Sequence, residues 1–498
     1  MSAVTIAETL ELEAIAKSNG WSEEQLLNLA GERLGRAIGR RFPNPGTVVA
    51  YLGKGHNAGD TLVALRILRD QFGWKIAARL AFSFADLAPL TQKKWQELGS
   101  DFSLDSPPAW RDLEGPLLLL DGLLGSGSSC PMRAPLTALG EEMAFLRRIA
   151  GARIAAVDLP SGIDPDSGEI FENTVTADAT FMIGNAKSGL LNGHAAVATG
   201  SLALVPVEAL TAPSIASKKL ISPQTLDFGK APRPFDFHKG MAGRVAILAG
   251  SESYSGAAVL AASGALRGGA GLVTLFVPKS VHALISDKCP PEIIVRGIDN
   301  PREILEFCFD SIIAGCGLGG MNTIFGQGLL DLLRDSPVPT VVDADALNFV
   351  ARFGSVEVFT DQHILTPHPG EFAKLAPDLA TLPREDAARQ FADRGSATLL
   401  LKGCRTLVTR RGEPLWCNST GTPAMATGGQ GDLLAGVIGA RLAIGDSPLE
   451  AAQLGAWICG RSAEIALDDK FISEESLTPS DVLRFLGAAF RDWKASSR

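Results

Sequence analysis

The stretch ATGGQGDLLAGVIGA, residues 426–440, has the composition of an anion-binding site with a base beside it. Three glycines, Gly428, Gly429 and Gly431, precede Asp432, and an apolar helical pattern follows. Such motifs also occur at ordinary helix starts. Glycines nevertheless let the backbone approach an anion closely, and a helix start presents free N–H groups to it. A carboxylate there can accept a proton from a hydroxyl, so the pattern predicts a phosphoryl-transfer site with Asp432 as its base.

Three glycine-bearing loops in the first half of the chain each follow a predicted strand. They are GKGHNAGD (53–60), DGLLGSGSS (121–129) and VDLPSGIDPDSG (157–168). One such loop alone is more often a plain strand–helix turn. In open α/β sheets, however, ligands bind outside the carboxyl ends of the strands, so three such loops should converge on one site. The residues that we assign to ligand binding are His56, Asn57, Ala58, Gly59, Asp60, Gly125, Ser126 and Gly127.

The same loops bring oxygen-bearing side chains to strand ends. Asp121 and Asp158 each close a predicted strand, and Asn57 and Ser161 lie in the neighbouring loops. This set suits one hard cation, or a base together with a positioning ion.

The elements that must position these residues form two alternating α/β series. The predicted strands are 47–52, 75–82, 116–121, 153–158, 179–183 and 201–207, then 244–250, 272–277, 311–315, 339–345, 363–368 and 397–403; helical patterns cover 60–72, 86–98 and 137–150. This alternation predicts parallel sheets with helices on both faces. Residues 208–235 are polar and aperiodic. We therefore expect domains at 1–215 and 236–498, with a linker or arm at 216–235.

Composition narrows the class of protein. A chain of 498 residues with a net charge of −9 favours several domains and disfavours a nucleic-acid partner. The seven cysteines show no CxxC and no ligand spacing, which predicts a reducing, cytoplasmic location without structural zinc. No apolar run is long enough for a membrane span, and the start does not resemble a signal peptide. The pattern leaves open whether the chain forms a homo-oligomer.

The first half resembles the NAD(P)H-hydrate epimerases, also called YjeF N-terminal domains, over about residues 5–210. The resemblance lies in GKGHNAGD, LLDGLLGSG, AAVDLPSGIDPDSG and the amino-terminal ELEAIAKSNGWSEEQLLNLAG. It implies a Rossmann-like domain that interconverts the R and S epimers of hydrated NADH or NADPH. The functional positions that it implies are Asn57, Asp121 and Ser161 for a potassium ion, Asp158 for catalysis and Lys187 for substrate binding.

The first loop departs from the family pattern NNGGDG, because this chain has HNAGDT. Ala58 adds a methyl group where the backbone can need φ > 0, and Thr61 adds a β-branched side chain. For His56 two interpretations stay open, a hydrogen bond to a substrate phosphate and a solvated loop histidine, of which the second is slightly favoured. These departures leave a second hypothesis open, in which the first domain is a degenerate binding or scaffolding module.

The second half resembles the NAD(P)H-hydrate dehydratases, the YjeF C-terminal domains of ribokinase-like fold, over about residues 225–495. Six motifs occur in the family's order: HKGMAGRVAILAGSESYSGAAVLAASGALRGGAGLV, IIAGCGLGG, TVVDADALN, ILTPHPGEFAKL, LLLKGCRTLV and NSTGTPAMATGGQGDLLAGVIGA. The resemblance implies substrate contacts at Ala257, Gly319, His368 and Asp432, and nucleotide contacts at Lys402, Gly403, Cys404, Arg405, Thr406, Gly429 and Gly431. Gln430 replaces a usual threonine, which a cradle of backbone amides should tolerate. Cys316 replaces a proline and Cys459 a histidine, and we expect both to affect packing rather than chemistry.

Fused in one chain, the two resemblances imply repair of hydrated NADH and NADPH. The hydrate carries a hydroxyl on the reduced ring, and water is a poor leaving group. Phosphorylation by ADP or ATP, with magnesium, turns that hydroxyl into a phosphate that can be eliminated. The fused layout resembles bacterial enzymes, which favours ADP. The alternative is a vitamin or sugar kinase on the same scaffold, with Asp432 again as the base.

Overall fold

The computed structural model describes residues 2–99, 102, 104, 115–128, 130–212, 216–226, 228–229, 232–353, 356–469 and 471–495. The chain divides into two compact units, Met1–Leu220 and Ile221–Arg498. The segment 216–235 was predicted as an aperiodic arm, but its residues Lys218–Ile221 form a strand. Leu220 and Ile221 of this strand are buried. Ser129 of the second predicted loop and residues 227, 230 and 231 of the arm lie outside the described residues.

The first unit alternates strands and helices as predicted. Its strands are β1 (Ala3–Val4), β2 (Thr47–Leu52), β3 (Lys75–Leu80), β4 (Leu117–Gly122), β5 (Arg153–Val157), β6 (Ala179–Ile183), β7 (Ala186–Lys187) and β8 (Ser201–Val205), with β9 (Lys218–Ile221) at the division. Its helices are α1 (Ile6–Ser18), α2 (Glu23–Arg41), α3 (His56–Phe72), α4 (Pro89–Leu98), α5 (Leu136–Ala150) and α6 (Ala196–Thr199).

Six of these strands form one parallel sheet in the order β3-β2-β4-β5-β6-β8. Among these six strands β2 comes first in the chain, and β3 lies on one side of it and β4 on the other. The order in which strands are added to the sheet therefore reverses between β2 and β4, and ligand crevices of doubly wound sheets open at such a switch point. The loops after β2 and β4 are two of the three glycine-bearing loops, GKGHNAGD and DGLLGSGSS.

Burial on both faces explains why these strands are nearly continuous apolar runs. Every residue of β2 and of β4 is buried, as expected for a sheet covered by helices on both sides. Two separate hydrophobic clusters fill the two faces, one containing Leu62 and Leu65 of α3 and the other Met143 and Leu146 of α5. Each such side chain contributes about 1.5–3 kcal/mol through its removal from water.

The second unit repeats the pattern with a larger sheet. Its strands are β10 (Arg244–Leu248), β11 (Leu272–Pro278), β12 (Ile294–Ile298), β13 (Ser311–Ala314), β14 (Thr340–Val342), β15 (His363–Leu365), β16 (Thr398–Leu401), β17 (Leu407–Thr409) and β18 (Leu415–Asn418). Its helices are α7 (Ser255–Arg267), α8 (His282–Lys288), α9 (Thr323–Asp335), α10 (Ala344–Phe353), α11 (Pro369–Leu375), α12 (Arg384–Arg394), α13 (Gln430–Ile444), α14 (Pro448–Ala466) and α15 (Pro479–Ala495).

The strands of the second unit follow the order β12-β11-β10-β13-β14-β15-β16-β17-β18 in this sheet. Neighbouring strands are parallel from β12 to β16, and β17 pairs antiparallel with β16 and β18. Here the switch point lies between β10 and β13. The carboxyl ends of β13, β14, β15 and β16 are therefore brought to one edge of the sheet, next to the loop after β10.

Close packing of α13 against α7 positions the start of α13 in the fold. A side chain at Gly436 of α13 would lie 2.2 Å from the backbone oxygen of Ala261 in α7, so the two helices approach to a distance that only glycine permits. This contact holds the start of α13, and with it Asp432, over the strand ends. Within the described part of the chain, no helix is long and apolar enough to cross a membrane.

Candidate active sites

In the first unit, the loop after β2 is shorter than predicted. Helix α3 begins at His56, so His56–Asp60 form its first turn, and its N-cap, Gly55, supplies no side-chain hydrogen bond. The free N–H groups of such a helix start favour an anion. Ala58 has helical backbone geometry and its methyl group is fully buried, so the expected need for φ > 0 at this position was wrong. The His56 side chain is exposed.

The three predicted potassium ligands lie together at the switch point. The hydroxyl of Ser161 donates to Asp121 at 2.6 Å, and the Ser161 N–H donates to the other oxygen of that carboxylate at 2.7 Å. Asn57 joins them through Leu124, because the Asn57 amide donates to the Leu124 carbonyl at 2.8 Å and the Leu124 N–H donates to Ser161 Oγ at 2.9 Å. Gly125 also approaches Asn57, since a side chain at Gly125 would lie 3.0 Å from Asn57 Cβ.

The chemistry of this set fits a monovalent hard cation. It offers carboxylate, amide and hydroxyl oxygens, the donors that such ions accept. Burial raises the pKa of Asp121 to about 6, although hydrogen bonds from Ser161 and Leu123 lower it. Among the described residues, no basic side chain forms an ion pair with Asp121. A cation here would therefore supply the missing positive charge.

Asp158 and Lys187 form a buried ion pair next to this cluster. Asp158 follows β5 with φ 68°, a strained backbone conformation for a residue other than glycine. Its carboxylate accepts hydrogen bonds from the Ile183 N–H at 3.0 Å and from the Lys187 ammonium. Lys187 also donates to the Ile183 carbonyl at 2.7 Å, and its backbone is held by pairing of β7 with β1. The predicted catalytic aspartate and the predicted lysine are thus in direct contact.

Two further carboxyl groups lie within electrostatic range of this pair. Asp60, at the start of α3, has one side-chain oxygen that is buried without a hydrogen-bond partner. Burial raises the pKa of Asp60 well above its usual range, and the charge of Asp158 raises it further. Glu13 of α1 also has a raised pKa, mainly through burial, and Asp158, Lys187 and His56 act on it. Glu13 lies in the amino-terminal segment ELEAIAKSNGWSEEQLLNLAG and was not predicted as a site residue.

In the second unit, Asp432 occupies the first turn of α13. The helix starts after Gly429, which has φ 96° and no side-chain cap, so its free N–H groups face the site. A side chain at Gly431 would lie 3.2 Å from the Lys402 ammonium and 3.7 Å from Asp343 Oδ2. The predicted glycines, the predicted base and Lys402 are therefore brought together.

Asp432, Asp343 and Cys316 form one compact group, with one potential ligand atom of each within 4.8 Å of the others. Burial raises the pKa of Asp432 to about 6 and the charge of Asp343 adds to this effect, whereas the Cys316 thiol and the Lys402 charge lower it. This carboxyl group therefore changes its charge near neutral pH, as a general base requires.

Lys402 links several residues of the site. Its ammonium donates to Asp343 Oδ1 at 2.8 Å and lies 3.8 Å from Glu371. Burial lowers the pKa of Lys402, but Asp343 and Glu371 outweigh it, so the pKa is raised and the lysine stays charged. The Thr366 hydroxyl also donates to Asp343 Oδ1 at 2.8 Å. The remaining oxygen of Asp343 is the one that lies toward Gly431.

The predicted substrate residues lie around this centre. His368 caps α11 by accepting the Gly370 and Glu371 N–H groups through Nδ1, and its Nε2 lies 3.5 Å from Glu371. Gly319 donates its N–H to Asp345 at 2.8 Å. Ala257 packs beside Gly317, two residues before Gly319. A cavity of about 420 Å³ adjoins Gly319; its lining includes Ser251, Leu318, Gly320, Met321, Asn322 and Phe325.

The stretch 402–406, predicted to bind the adenine nucleotide, turns sharply. Gly403 has φ 144°, and a side chain there would lie 2.9 Å from the Arg384 guanidinium. Arg384 donates to the Cys404 carbonyl at 2.7 Å and so supports the turn. Arg405 is buried, Cys404 is exposed, and the Thr406 hydroxyl donates to the Gly403 carbonyl at 3.1 Å. Cys404 and Thr406 are therefore on the open side of this turn.

Sequence reasoning missed three residues of the second site. Asp343 directly follows β14, as Asp158 directly follows β5, so its position at a strand end in TVVDADALN was an available signal. Glu371 lies within the motif ILTPHPGEFAKL. Cys316 was expected to affect packing rather than chemistry, and its sulfur lies within 4.8 Å of a carboxylate oxygen of the predicted base. Cys459 is buried within α14, consistent with a packing role.

Comparisons with known proteins match both units. The family model described as YjeF-related protein N-terminus matches residues 23–189, and the model described as NAD(P)H-hydrate dehydratase matches residues 245–484. The Bifunctional NAD(P)H-hydrate repair enzyme Nnr of Gloeobacter violaceus is 33% identical over 93% of this chain and 95% of its own length. The chain belongs to the bifunctional NAD(P)H-hydrate repair enzyme family.

A second relative agrees with this assignment, and one solved structure shows a similarity only. The Bifunctional NAD(P)H-hydrate repair enzyme Nnr of Moorella thermoacetica is 31% identical over 99% of this chain and 97% of its own. A crystal structure of the ADP/ATP-dependent NAD(P)H-hydrate dehydratase of Bacillus subtilis, co-crystallised with ATP and Mg²⁺, is 27% identical and covers 55% of this chain and 98% of its own, with a TM-score of 0.49.

Family membership settles the main hypotheses. The predicted pair of Rossmann-like and ribokinase-like domains is confirmed, and so is the predicted enzyme class, a fused epimerase and dehydratase acting on hydrated NAD(P)H. The alternative, a vitamin or sugar kinase with a degenerate first domain, is not favoured, because relatives aligned over nearly the whole chain are repair enzymes.

Proposed function

We propose that the second domain dehydrates the S hydrate in an ADP-dependent reaction with Asp432 as the general base. The observation that carries this proposal is the position of the Asp432 carboxylate at the uncapped start of α13, with a pKa raised to about 6 by burial. Asp432 takes the proton of the ring hydroxyl while that oxygen accepts the terminal phosphoryl group of ADP, which departs as AMP. Phosphate then leaves the ring and the neighbouring ring carbon loses a proton, which restores the C=C bond of the reduced ring.

The nucleotide in this proposal is held by the turn 402–406 and by the N–H groups around Gly429 and Gly431. Lys402 supplies positive charge beside the transferred group, and the helix start of α13 supplies backbone donors. A magnesium ion that accompanies the nucleotide would neutralise phosphate charge. Ala257, Gly319 and His368 would contact the hydrated nucleotide.

For the first domain we propose epimerisation at the switch point of its sheet. Asp158 exchanges a proton with the hydrated ring, Lys187 holds that carboxylate through a buried ion pair, and Asp60, whose pKa is raised by burial, lies within electrostatic range of the pair. The first turn of α3, with His56, Asn57, Ala58 and Gly59, and the loop residues Gly125, Ser126 and Gly127 hold the substrate phosphates. A potassium ion bound by Asn57, Asp121 and Ser161 would supply positive charge for those phosphates.

The test of the dehydratase proposal is Asp432→Asn, which keeps size and polarity but removes the base. Turnover of S hydrate with ADP, followed by reduced-nicotinamide absorbance, should fall by roughly 10²–10⁴. ADP binding, measured by calorimetry, should be retained. Asp331→Asn, on the outer part of α9, is the matched control and should leave turnover unchanged. Near-normal turnover in Asp432→Asn would refute the assignment.

The potassium proposal needs a separate test. Epimerisation by the parent enzyme should rise with potassium concentration, and Asp121→Asn should weaken this dependence while dehydration of S hydrate is unchanged. An epimerisation rate that is the same in potassium and in a bulky organic cation would refute it.

The seven free thiols fit a reducing, cytoplasmic location.

A further inference from the structure

The cavity beside Gly319 lies at the ends of three adjacent strands. Its lining includes Ser251, which follows β10, Ser280, which follows β11, and Gly320, which follows β13. The sheet order β11-β10-β13 places the carboxyl ends of these strands side by side. Ligands of open α/β sheets bind at this edge, where the strand order reverses. The cavity of about 420 Å³ therefore occupies a position where a ligand is expected.

One loop connects the cavity to the proposed base. In the loop after β13, the sulfur of Cys316 lies within 4.8 Å of a carboxylate oxygen of Asp432, and Leu318 and Gly320 line the cavity. The chain from Cys316 to Gly320 spans at most about 14 Å. A dinucleotide consists of two nucleosides joined by a pyrophosphate. A molecule whose reduced ring lies at Asp432 can therefore reach the cavity with its adenosine half.

The lining combines apolar surface with an unpaired hydroxyl. Val281, Leu284 and Phe325 provide apolar surface against which a flat base can pack. The hydroxyl oxygen of Ser251 is buried and has no hydrogen-bond partner among the described residues. It faces Gly319, since a side chain at Gly319 would lie 3.1 Å from it. Buried hydroxyls usually have a partner, and a concave apolar site with a few such polar groups is typical of a ligand pocket.

The charge of this lining is negative. Glu252 contributes a carboxylate, and in the described part of the chain no lysine, arginine or histidine is among the residues that line the cavity. Lys279, between the lining residues Pro278 and Ser280, forms an ion pair with Asp299. A carboxylate accepts hydrogen bonds from the hydroxyls of an unmodified ribose, whereas a ribose 2′-phosphate needs a positive partner such as arginine.

We propose that the cavity binds the adenosine half of the hydrated dinucleotide and that Glu252 makes the dehydratase selective for the hydrate of NADH over that of NADPH. This inference rests on the proposed dehydratase function of the second domain. The Glu252 carboxylate accepts hydrogen bonds from the adenosine ribose of NADH hydrate. In NADPH hydrate the 2′-phosphate meets the same carboxylate without a cation to neutralise it, so this hydrate binds more weakly.

Steady-state kinetics of the full chain compare the S hydrates of NADH and NADPH, with ADP as the donor. The ratio of their kcat/KM values should favour NADH hydrate by roughly tenfold, because the 2′-phosphate and Glu252 repel each other. Glu252→Gln should reduce this preference, and Glu252→Lys, which places a cation there, should invert it. The matched control Glu413→Lys makes the same change of charge in the exposed turn between β17 and β18 and should keep the parent ratio.

Hydrogen exchange measures occupancy of the cavity without turnover. In the full chain, NADH should protect the amides of residues 280–285 and 320–326. NADPH at the same concentration should protect them less in the parent enzyme, and as well as NADH or better in Glu252→Lys. Equal kcat/KM values for the two hydrates, an unchanged ratio in Glu252→Lys, or no protection of these segments overturns the proposal. If the segments are protected but neither hydrate is turned over, the proposed dehydratase function fails and the assignment of the cavity stands.

Discussion

The ammonium of Lys402 lies 2.8 Å from Oδ1 of Asp343, and this ion pair connects the turn that follows β16 to the end of β14. Asp343 is nearly completely buried, and Lys402 is mostly so. Gly431 lies against both residues, next to the proposed base Asp432. The pair therefore fixes positive charge beside the start of α13, where the phosphoryl group is proposed to be transferred.

Removal of the lysine should be costly to the fold. Lys402→Met leaves the carboxylate of Asp343 buried without its countercharge, which should lower the free energy of unfolding at neutral pH by about 3–5 kcal/mol. Urea unfolding at constant m value measures this change. The double variant Lys402→Met with Asp343→Asn removes both charges and should recover much of the loss. A single variant as stable as the parent enzyme would show that the pair is not needed to hold Asp343.

The raised pKa of Asp432 predicts a pH dependence of activity and of stability. Turnover of S hydrate should fall as pH drops through about 6, because the base becomes protonated. The same raised pKa has the opposite effect on stability, because protonation of Asp432 favours the folded state. The folded state binds this proton more tightly than the unfolded chain, whose ordinary value is 3.8, so stability is lost as pH rises through about 6.

Asp432→Asn, which cannot titrate, should therefore be more stable than the parent enzyme at pH 7, by up to about 3 kcal/mol. The difference should vanish in acid, below both pKa values. Urea midpoints at several pH values measure it. An asparagine variant that is less stable at pH 7 and equal in acid would contradict the raised pKa.

Thr61 is one of the residues at which this loop departs from the family pattern, and its side chain packs directly against Gly122. A side chain at Gly122 would lie 2.4 Å from the Thr61 hydroxyl oxygen, and that hydroxyl donates to the Asn57 carbonyl at 2.7 Å. Gly122→Ala should destabilise the parent enzyme by about 1–3 kcal/mol through overpacking, and by clearly less in a Thr61→Gly background. A double-mutant cycle from urea unfolding gives the coupling. Additive effects would mean that the two positions adapt independently.

The sequence predicted the fold well because burial on both faces leaves a clear mark on parallel strands. It also placed Asp121, Asp158 and Asp432 among the candidate site residues, since each lies at a strand end or at a glycine-rich helix start; their functional roles stay predictions. The strand 218–221 was missed, because only two apolar residues stand among polar ones and proline. Helix α3 begins at His56, earlier than expected, with Gly55 as its N-cap. The prediction placed this start too late because the residues HNAGD have a composition typical of loops.

The rest of the site depends on pairings between distant parts of the chain. Lys402 meets Asp343 and Cys316 meets Asp432 only because strand order brings their loops to one edge of the sheet. Spacing along the chain carries no information on such contacts. A substitution of Cys316 for a usual proline can be noticed in the sequence, but what the thiol faces follows from the fold alone.

The division of labour between the two domains is tested most directly by Asp158→Ala. This variant removes the carboxylate that pairs with Lys187 in the first domain and leaves the second domain unchanged. The measurement is the fraction of a mixed pool of R and S hydrates converted to NADH with ADP over time, compared with spontaneous epimerisation. The parent enzyme should convert the whole pool, and Asp158→Ala should convert the S fraction at the parent rate and then stop. Consumption of the R hydrate by Asp158→Ala as fast as by the parent enzyme would contradict the account.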